Sequence, residues 1–277
     1  MDNDILFSNI RRKKSFLCIG LDSSIEKIPK HLLTFDHPVF EFNKQIVDAT
    51  ASYAVAYKPN LAFYECRGTA GWNDLLLTAD YIRTKYPDQF LIADAKRGDI
   101  GNTSEMYARA FFVTMNFDAV TIAPYMGEDS VKPFLSFEGK YSIILALTSN
   151  TGAADFQYFK SGDNKFLFTE VIRKSKDWGT KNNIMYVVGA TKASMLTVIR
   201  ELIPEHFLLV PGVGAQGGSL EEVARYGLNR QCGLLVNASR SVIFAGNGMD
   251  FAAKAAEECI KLQQQMEKSL ADMDLLT

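Results

Sequence analysis

Short, almost continuously apolar runs recur along the whole chain. Eight of them occupy residues 16–22, 54–60, 90–96, 119–124, 141–147, 184–190, 206–212 and 233–239. Each run is apolar throughout rather than alternating between apolar and polar positions, as is typical of parallel strands that are covered on both faces. The pattern therefore predicts eight buried parallel strands.

The segments between these runs carry helical signals, at residues 39–51, 72–85, 165–178, 193–202, 220–226 and 251–270. Asn102 with Glu105 resembles a capping box, and Ser219 with Glu222 forms a second one in front of residues 220–226. The first box precedes apolar residues at helical spacing, namely Met106, Tyr107, Ala110, Phe111 and Met115. We therefore expect a helix after most strands.

Eight strand–helix units predict a single α/β domain, a (β/α)₈ TIM barrel, with a doubly wound open sheet as the structural alternative. We find no Pro/Gly/Ser-rich linker or change in composition, so we expect residues 1–277 to form one domain with helical extensions at both termini. The longest irregular stretch, 148–164, follows the fifth strand, where a lid would lie.

The overall charge argues against two classes of binding partner, nucleic acids and anionic membranes. Thirty Lys and Arg residues against 32 Asp and Glu residues give a net charge of −2, which provides no general attraction to nucleic acid or to an anionic membrane. The basic run at 11–14 is expected to be a solvated edge. We find no apolar stretch as long as a membrane span and no apolar region typical of a signal peptide, so we expect a cytoplasmic protein. Its thiols are expected to be buried and free, at Cys18, Cys66, Cys232 and Cys259.

Barrel enzymes place their chemistry at the carboxyl ends of the strands. That rule selects as candidates Asp22, Lys58, Asp94, Lys96, Asp99, Ser149, Gln216 and Arg240. Charged residues at the rim of an apolar core are costly to bury unless they are paired. Because Asp94 and Lys96 are two positions apart on one strand, both side chains point to the same side. Lys58 ends the neighbouring strand, so we expect these three charges to lie together, with Asp99 just beyond them.

This charged group has two interpretations from the residues alone. It could be a structural network of ion pairs at the barrel mouth, or a lysine that donates or takes a proton while carboxylates set its position and pKa. Two lysines among carboxylates do not resemble a transition-metal site, whereas a Mg²⁺ carboxylate site stays open.

A glycine-rich turn, PGVGAQGGS at 211–219, follows the seventh strand and leads directly into a helix. Backbone N–H groups in such a turn can bind an anion, and Arg240 after the eighth strand adds a cation suited to phosphate. Gly212, Gly214 and Gly217 also satisfy the dinucleotide pattern GxGxxG. The turn lies in the seventh unit, and the next strand does not end in an acidic residue, so a phosphate site is favoured over a dinucleotide site.

The segment 94–103, DAKRGDIGNT, resembles the D-x-K-x-x-D-[IV]-[GP]-x-T signature of orotidine 5′-phosphate decarboxylases. Gly20-Leu21-Asp22, Lys58, the glycine-rich turn and Arg240 occur in the order found in that family. The resemblance extends from about residue 16 to residue 244, and the chain length is similar to the longer bacterial (type 2) subgroup. It implies a (β/α)₈ barrel and a homodimer with shared active sites. It also implies conversion of orotidine 5′-monophosphate to UMP and CO₂, the last step of pyrimidine synthesis, without cofactor or metal.

The resemblance also implies a role for each matching residue. Lys96 is similar to the proton donor to C6, Asp94 to the carboxylate that faces the substrate carboxylate, and Lys58 to the residue that links this network to the ribose. Asp22 and Ser149 correspond to contacts with the ribose hydroxyl and the pyrimidine. Asp99 and Thr103 correspond to residues contributed by a partner subunit. The phosphate contacts correspond to Gln216, Gly217 and Arg240.

Two other functions compete with this one. A Mg²⁺-dependent sugar-phosphate decarboxylase or aldolase would use a similar barrel, and sensitivity to EDTA would distinguish it. A non-catalytic nucleotide-binding sensor is the alternative from another class, and the charged group at the third strand argues against it.

Overall fold

Eight parallel strands form a closed barrel in the computed structural model, which describes residues 1–160, 162, 164–190, 193–213 and 218–276. The strands follow one another in sequence order around the barrel, and β8 pairs with β1. Their bounds are β1 Leu17–Leu21, β2 Ala56–Pro59, β3 Phe90–Arg97, β4 Ala119–Ile122, β5 Tyr141–Leu147, β6 Ile184–Val188, β7 Leu208–Pro211 and β8 Leu234–Ala238. The closed sheet confirms the (β/α)₈ prediction and excludes the open doubly wound sheet.

The strands are apolar along their whole length because both of their faces are covered. Every residue of β1, β2, β4, β6 and β8 is buried. One face packs inside the barrel and the other packs against the outer helices, so neither face needs polar side chains. The polar exceptions are therefore informative, and most of them lie at the carboxyl ends.

The helices match the six predicted segments to within a few residues. Their bounds are α1 Asn3–Lys13, α2 Pro38–Thr50, α3 Ala62–Glu65, α4 Gly68–Lys85, α5 Gly101–Arg109, α6 Lys132–Leu135, α7 Ala153–Phe156, α8 Leu167–Ser175, α9 Met195–Leu202, α10 Leu220–Gly227, α11 Arg240–Ile243 and α12 Phe251–Asp272. Ser219 caps α10 as predicted, because its side chain accepts a hydrogen bond from the Glu222 amide. In the part of the chain that the structure describes, no helix is both long and apolar enough to cross a membrane.

The predicted capping box at Asn102 is wrong. α5 begins at Gly101, and the residue in the cap position is Ile100, whose side chain makes no capping hydrogen bond. The helix therefore begins two residues earlier than a cap at Asn102 requires, and its first residue, Gly101, adopts a φ of +54°, a backbone conformation that favours glycine. The apolar face expected on this helix is also incomplete, because Met106 and Tyr107 are exposed.

Three further expectations are refined. The stretch 148–164 is not wholly irregular, since it contains the short helix α7.

The basic run at 11–14 lies on and just after α1, and its side chains form ion pairs within the chain: Lys13 with Asp88 and Lys14 with Glu267. Among the free cysteines Cys66 is exposed, because it lies at the end of α3 on the surface, whereas Cys18, Cys232 and Cys259 are buried as expected.

Candidate active site

Three charged side chains meet at the carboxyl ends of β2 and β3. The Lys58 Nζ lies 2.8 Å from Oδ2 of Asp94, and the Lys96 Nζ lies 2.6 Å from the other carboxylate oxygen, Oδ1. Lys58 is buried, while half of the Lys96 side chain is exposed. One carboxylate therefore holds two ammonium groups, of which only Lys96 is open to the space above the barrel.

A local irregularity in β3 aims the Lys96 side chain. Between the pairs Ala93↔Val120 and Arg97↔Ile122 the register of β3 on β4 shifts, so that more residues of β3 than of β4 fill the interval. Lys96 adopts a φ of +48° there, a backbone conformation that residues other than glycine rarely take. The bulge presents Lys96 at the mouth of the barrel, next to Asp94.

The third support of this network was not predicted from the sequence. Thr121, on β4, donates from its Oγ1 to Oδ1 of Asp94 over 3.0 Å, and it accepts from the backbone N–H of Lys96 over 2.9 Å. A single threonine inside the run 119–124 has no pattern that distinguishes it from a structural residue. Only the pairing of β3 with β4 shows which groups its hydroxyl contacts.

The charges in this network stabilise one another. Burial disfavours ionisation of Asp94, but the ammonium groups of Lys58 and Lys96 outweigh it, and the pKa of Asp94 lies well below its usual range. Burial likewise lowers the pKa of Lys58, but Asp94 and Asp22 raise it by more, so that its net pKa lies above the usual value. Asp94 and Lys58 therefore stay ionised at neutral pH.

Asp22 follows β1 at the same end of the barrel. Its Oδ1 is buried and has no hydrogen-bond partner among the described residues, so it can accept from a group that enters the site. A buried network supports the turn around it: the Ser23 hydroxyl donates to Asn43, and the Tyr64 hydroxyl donates to the carbonyl oxygen of Leu21 over 3.1 Å. These hydrogen bonds hold the backbone of the turn that carries Asp22.

A cavity of about 340 Å³ joins these residues to the opposite side of the barrel mouth. Six of the predicted site residues line it, namely Asp22, Lys58, Asp94, Lys96, Ser149 and Arg240. The apolar side chains of Leu145, Val187 and Leu209 also line it, as do the polar residues Asn237 and Ser239. The charged network and Arg240 thus belong to one space, as a substrate with a reacting end and an anionic end would need.

Close backbone approaches shape two parts of this wall. A Cβ on Gly20 would lie 1.8 Å from Oγ of Ser239, so only glycine lets β1 pass this residue. A Cβ on Gly189 would lie 2.7 Å from the backbone N of Ser149, which places the residue after β6 directly against the start of the 148–164 stretch. Both glycines therefore allow the close approach of a serine that lines the cavity.

Two of the predicted residues, Asp99 and Thr103, lie outside the lining of this cavity, and two more are not among the described residues. Asp99 accepts a hydrogen bond from the amide of Ile100 over 2.7 Å, and Thr103 is exposed on α5. Neither of these two residues lines the cavity of its own chain. Gln216 and Gly217 lie outside the described residues. Gly212, with a φ of +95°, and Gly218 flank that segment of the glycine-rich turn.

The chain's own cations compensate the central carboxylate of the cavity. Both oxygens of Asp94 accept hydrogen bonds from ammonium groups, which compensate its charge. Among the described residues no three His, Cys, Asp or Glu side chains are grouped as ligands for a metal ion. A lysine is one of the side chains that can act as a general acid or base when it is positioned next to a reacting group.

Comparisons with known proteins identify the family of the chain. The model of the orotidine 5′-phosphate decarboxylase / HUMPS family matches residues 15–256. An orotidine 5′-phosphate decarboxylase from Porphyromonas gingivalis is 60% identical over 271 residues, which cover 98% of each chain.

Solved structures give the same result. An OMP decarboxylase from Leishmania donovani superposes with a TM-score of 0.81 at 33% identity, covering 97% of this chain and 99% of that one. A UMP synthase from the same organism superposes with a TM-score of 0.80 at 36% identity, and there the match covers 94% of this chain but 56% of the synthase. The sequence, the fold and the cavity all lead to one assignment: the chain belongs to the orotidine 5′-phosphate decarboxylase family.

Proposed function

We propose that the cavity at the carboxyl end of the barrel converts orotidine 5′-monophosphate to UMP and CO₂, the last step of UMP biosynthesis, with Lys96 as the proton donor to C6. The observation that carries this proposal is the pairing of Lys96 with Asp94, whose other oxygen is held by the buried Lys58. This arrangement fixes an exposed ammonium group at one point of the cavity and leaves it accessible to a bound substrate.

The chemistry explains why an ammonium group is needed there. When the bond between C6 and the carboxylate breaks, CO₂ leaves and the electron pair stays on C6, where the ring cannot delocalise it well. A preorganised ammonium beside C6 stabilises this charge as it develops. The Lys96 ammonium then transfers a proton to C6, which gives UMP, and solvent reprotonates the neutral amine.

Asp94 and Lys58 hold Lys96 in place and shape the reacting end. Asp94 would face the substrate carboxylate, and its charge is maintained by the two lysines. Lys58 would connect this network to the ribose. Asp22, with its unpartnered buried oxygen, is suited to accept a hydrogen bond from a ribose hydroxyl.

The opposite end of the cavity would hold the rest of the nucleotide. Arg240 supplies the charge for the phosphate, together with Gln216 and Gly217 of the glycine-rich turn, and Ser149 would contact the pyrimidine. The phosphate is remote from C6, so its binding energy contributes to orienting the reacting end rather than to the bond that breaks.

A second copy of the chain would complete the site with Asp99 and Thr103. An exposed apolar surface on the same edge of the barrel supports a homodimer, since Ile100 is 55% and Met106 52% exposed. Tyr125, which is 95% exposed, belongs to a neighbouring loop that the Ser104 hydroxyl ties to α5 through the carbonyl of Ser130. A partner seated on this edge would cover these apolar side chains and bring its Asp99 near the cavity.

Residues 1–277 would form one domain, with α1 and α12 as extensions of the barrel. The side chain of Asn3, on α1, donates to the carbonyl of Lys181 over 2.9 Å and accepts from the Tyr141 hydroxyl over 3.0 Å, which binds α1 to the amino end of the barrel. The buried, unpaired thiols of Cys18 and Cys232 support a reducing, cytoplasmic location.

An ultraviolet assay tests the activity directly. Purified protein is expected to consume orotidine 5′-monophosphate and to form UMP in equal amounts. We expect the same rate after dialysis against EDTA, because the proposed proton donor and its partners are side chains of the chain itself. Absence of turnover, or loss of turnover with chelator that Mg²⁺ restores, would refute the mechanism proposed for this site.

A further inference from the structure

Thr121 connects the two groups at the centre of the site. It is 1% exposed, and its hydroxyl is the only part of its side chain that can form a hydrogen bond. That hydroxyl accepts from the backbone N–H of Lys96 and donates to Oδ1 of Asp94, the same oxygen that accepts from the Lys96 Nζ. The hydroxyl has one proton, so accepting from one group and donating to the other fixes its orientation.

The hydrogen bond from the Lys96 amide to the Thr121 hydroxyl lies where the register of β3 on β4 shifts. Regular pairing is interrupted between Ala93 and Arg97, which removes the ladder hydrogen bonds that would otherwise hold the backbone of Lys96. The Thr121 hydroxyl takes the place of a carbonyl partner for the Lys96 amide. A positive φ at a residue other than glycine persists only where its surroundings determine it.

We propose that Thr121 is a positioning residue for the decarboxylation: its hydroxyl fixes the backbone of Lys96 and the carboxylate of Asp94 relative to each other, so that the ammonium group lies where C6 will be. This proposal rests on the roles proposed above for Lys96 and Asp94. Thr121 itself transfers no proton. It acts through the placement of the group that does, and a displacement of about 1 Å is enough to slow a preorganised step substantially.

A purely structural role predicts a different result. If the Thr121 hydroxyl only satisfied a buried amide, its removal would destabilise the fold and leave the turnover of the folded enzyme unchanged. If it positions Lys96, turnover falls while nucleotide binding stays the same, because the phosphate and ribose contacts lie elsewhere in the cavity. The kcat value, KM and UMP affinity together separate these two cases.

The experiment compares Thr121→Val, Thr121→Ala and Thr121→Ser with the control Ser142→Ala. Valine keeps the shape of threonine without its hydroxyl, alanine provides a second variant without a hydroxyl should valine fold poorly, and serine keeps the hydroxyl. Ser142 is a buried residue of the neighbouring strand β5, and its hydroxyl has no hydrogen-bond partner in the described part of the chain. Thermal unfolding verifies that each variant is folded.

We expect the two variants without a hydroxyl to lose kcat by about 10-fold to 100-fold, the range that one hydrogen bond to a charged group provides. KM and the affinity for UMP should change by less than about threefold, and Thr121→Ser and Ser142→Ala should stay near wild type. Folded Thr121→Val and Thr121→Ala with wild-type kcat, beside an inactive Lys96→Ala, would overturn the positioning role alone. An active Lys96→Ala would instead overturn the proposed function on which that role depends.

Discussion

The Lys96 ammonium lies 2.6 Å from the Asp94 carboxylate, yet the two side chains differ greatly in exposure: half of Lys96 and 12% of Asp94 is accessible. The counterion is therefore fixed in the protein while the cation reaches into the cavity. A lysine held in this way is ready to stabilise negative charge on a substrate, because little reorganisation is needed when that charge develops.

Replacing Arg240 with alanine should weaken substrate binding more than turnover. The side chain lines the cavity from the residue after β8, whereas Lys96 lies on β3, so its removal would take away the charged contact proposed for the phosphate and leave the pairing of Lys96 with Asp94 intact. We expect KM to rise by about 10-fold or more, the size of one hydrogen bond to a charged group. Steady-state kinetics measures this change, and an unaltered KM would contradict the phosphate assignment.

Subunits of Lys96→Ala and Asp99→Ala should complement each other. In a mixed dimer one site carries both lesions, whereas the other combines an intact Lys96 with an intact Asp99. After random exchange half of the dimers are mixed, so an equal mixture should recover about a quarter of the wild-type activity. The mixed dimers are isolated with two different affinity tags. Inactive mixed dimers would show that Asp99 does not act across the interface.

His206 should make the protein less stable in mild acid. Neither ring nitrogen has a hydrogen-bond partner among the described residues, and the ring packs 5.7 Å from that of Tyr186. Burial, together with the nearby Arg200, lowers the pKa of His206 from 6.5 to about 4. The unfolded chain therefore takes up a proton at higher pH than the folded one. The stability that depends on the neutral ring is complete above pH 6.5 and is lost as the pH falls toward 4.

The size of this effect follows from the shift in pKa. We expect the free energy of unfolding to fall by about 2–3 kcal/mol between pH 7 and pH 4 through this residue alone. Urea denaturation at several pH values measures it, with His206→Phe as the matched variant that keeps a ring beside Tyr186. If the free energy of unfolding falls equally in the wild type and in His206→Phe as the pH is lowered, a group other than His206 causes the loss of stability in acid.

The fold could be predicted because a closed parallel barrel imposes a simple pattern on its strands. Both faces are buried, so each strand is a continuous apolar run, and polar residues accumulate at the ends. For the same reason the rule that chemistry lies at the carboxyl ends selected Lys58, Asp94 and Lys96 correctly as neighbours. Their contact depends on strand order, which in a (β/α)₈ barrel follows the chain.

Features that depend on register or on local backbone conformation could not be predicted. The bulge at Lys96 and its contact with Thr121 arise from how β3 pairs with β4, and the sequence of either strand shows no sign of it. The start of α5 is a further example, because the helix begins at Gly101, a glycine with a left-handed φ, and not after a cap at Asn102.

The most direct test of the central claim is the turnover of Lys96→Ala, measured by the ultraviolet change of orotidine 5′-monophosphate and accompanied by a titration with UMP. The variant removes the ammonium group and leaves Asp94 paired with Lys58. We expect decarboxylation to fall below detection while UMP binds with an affinity within about tenfold of wild type. Turnover close to that of the wild type would show that Lys96 is not the proton donor.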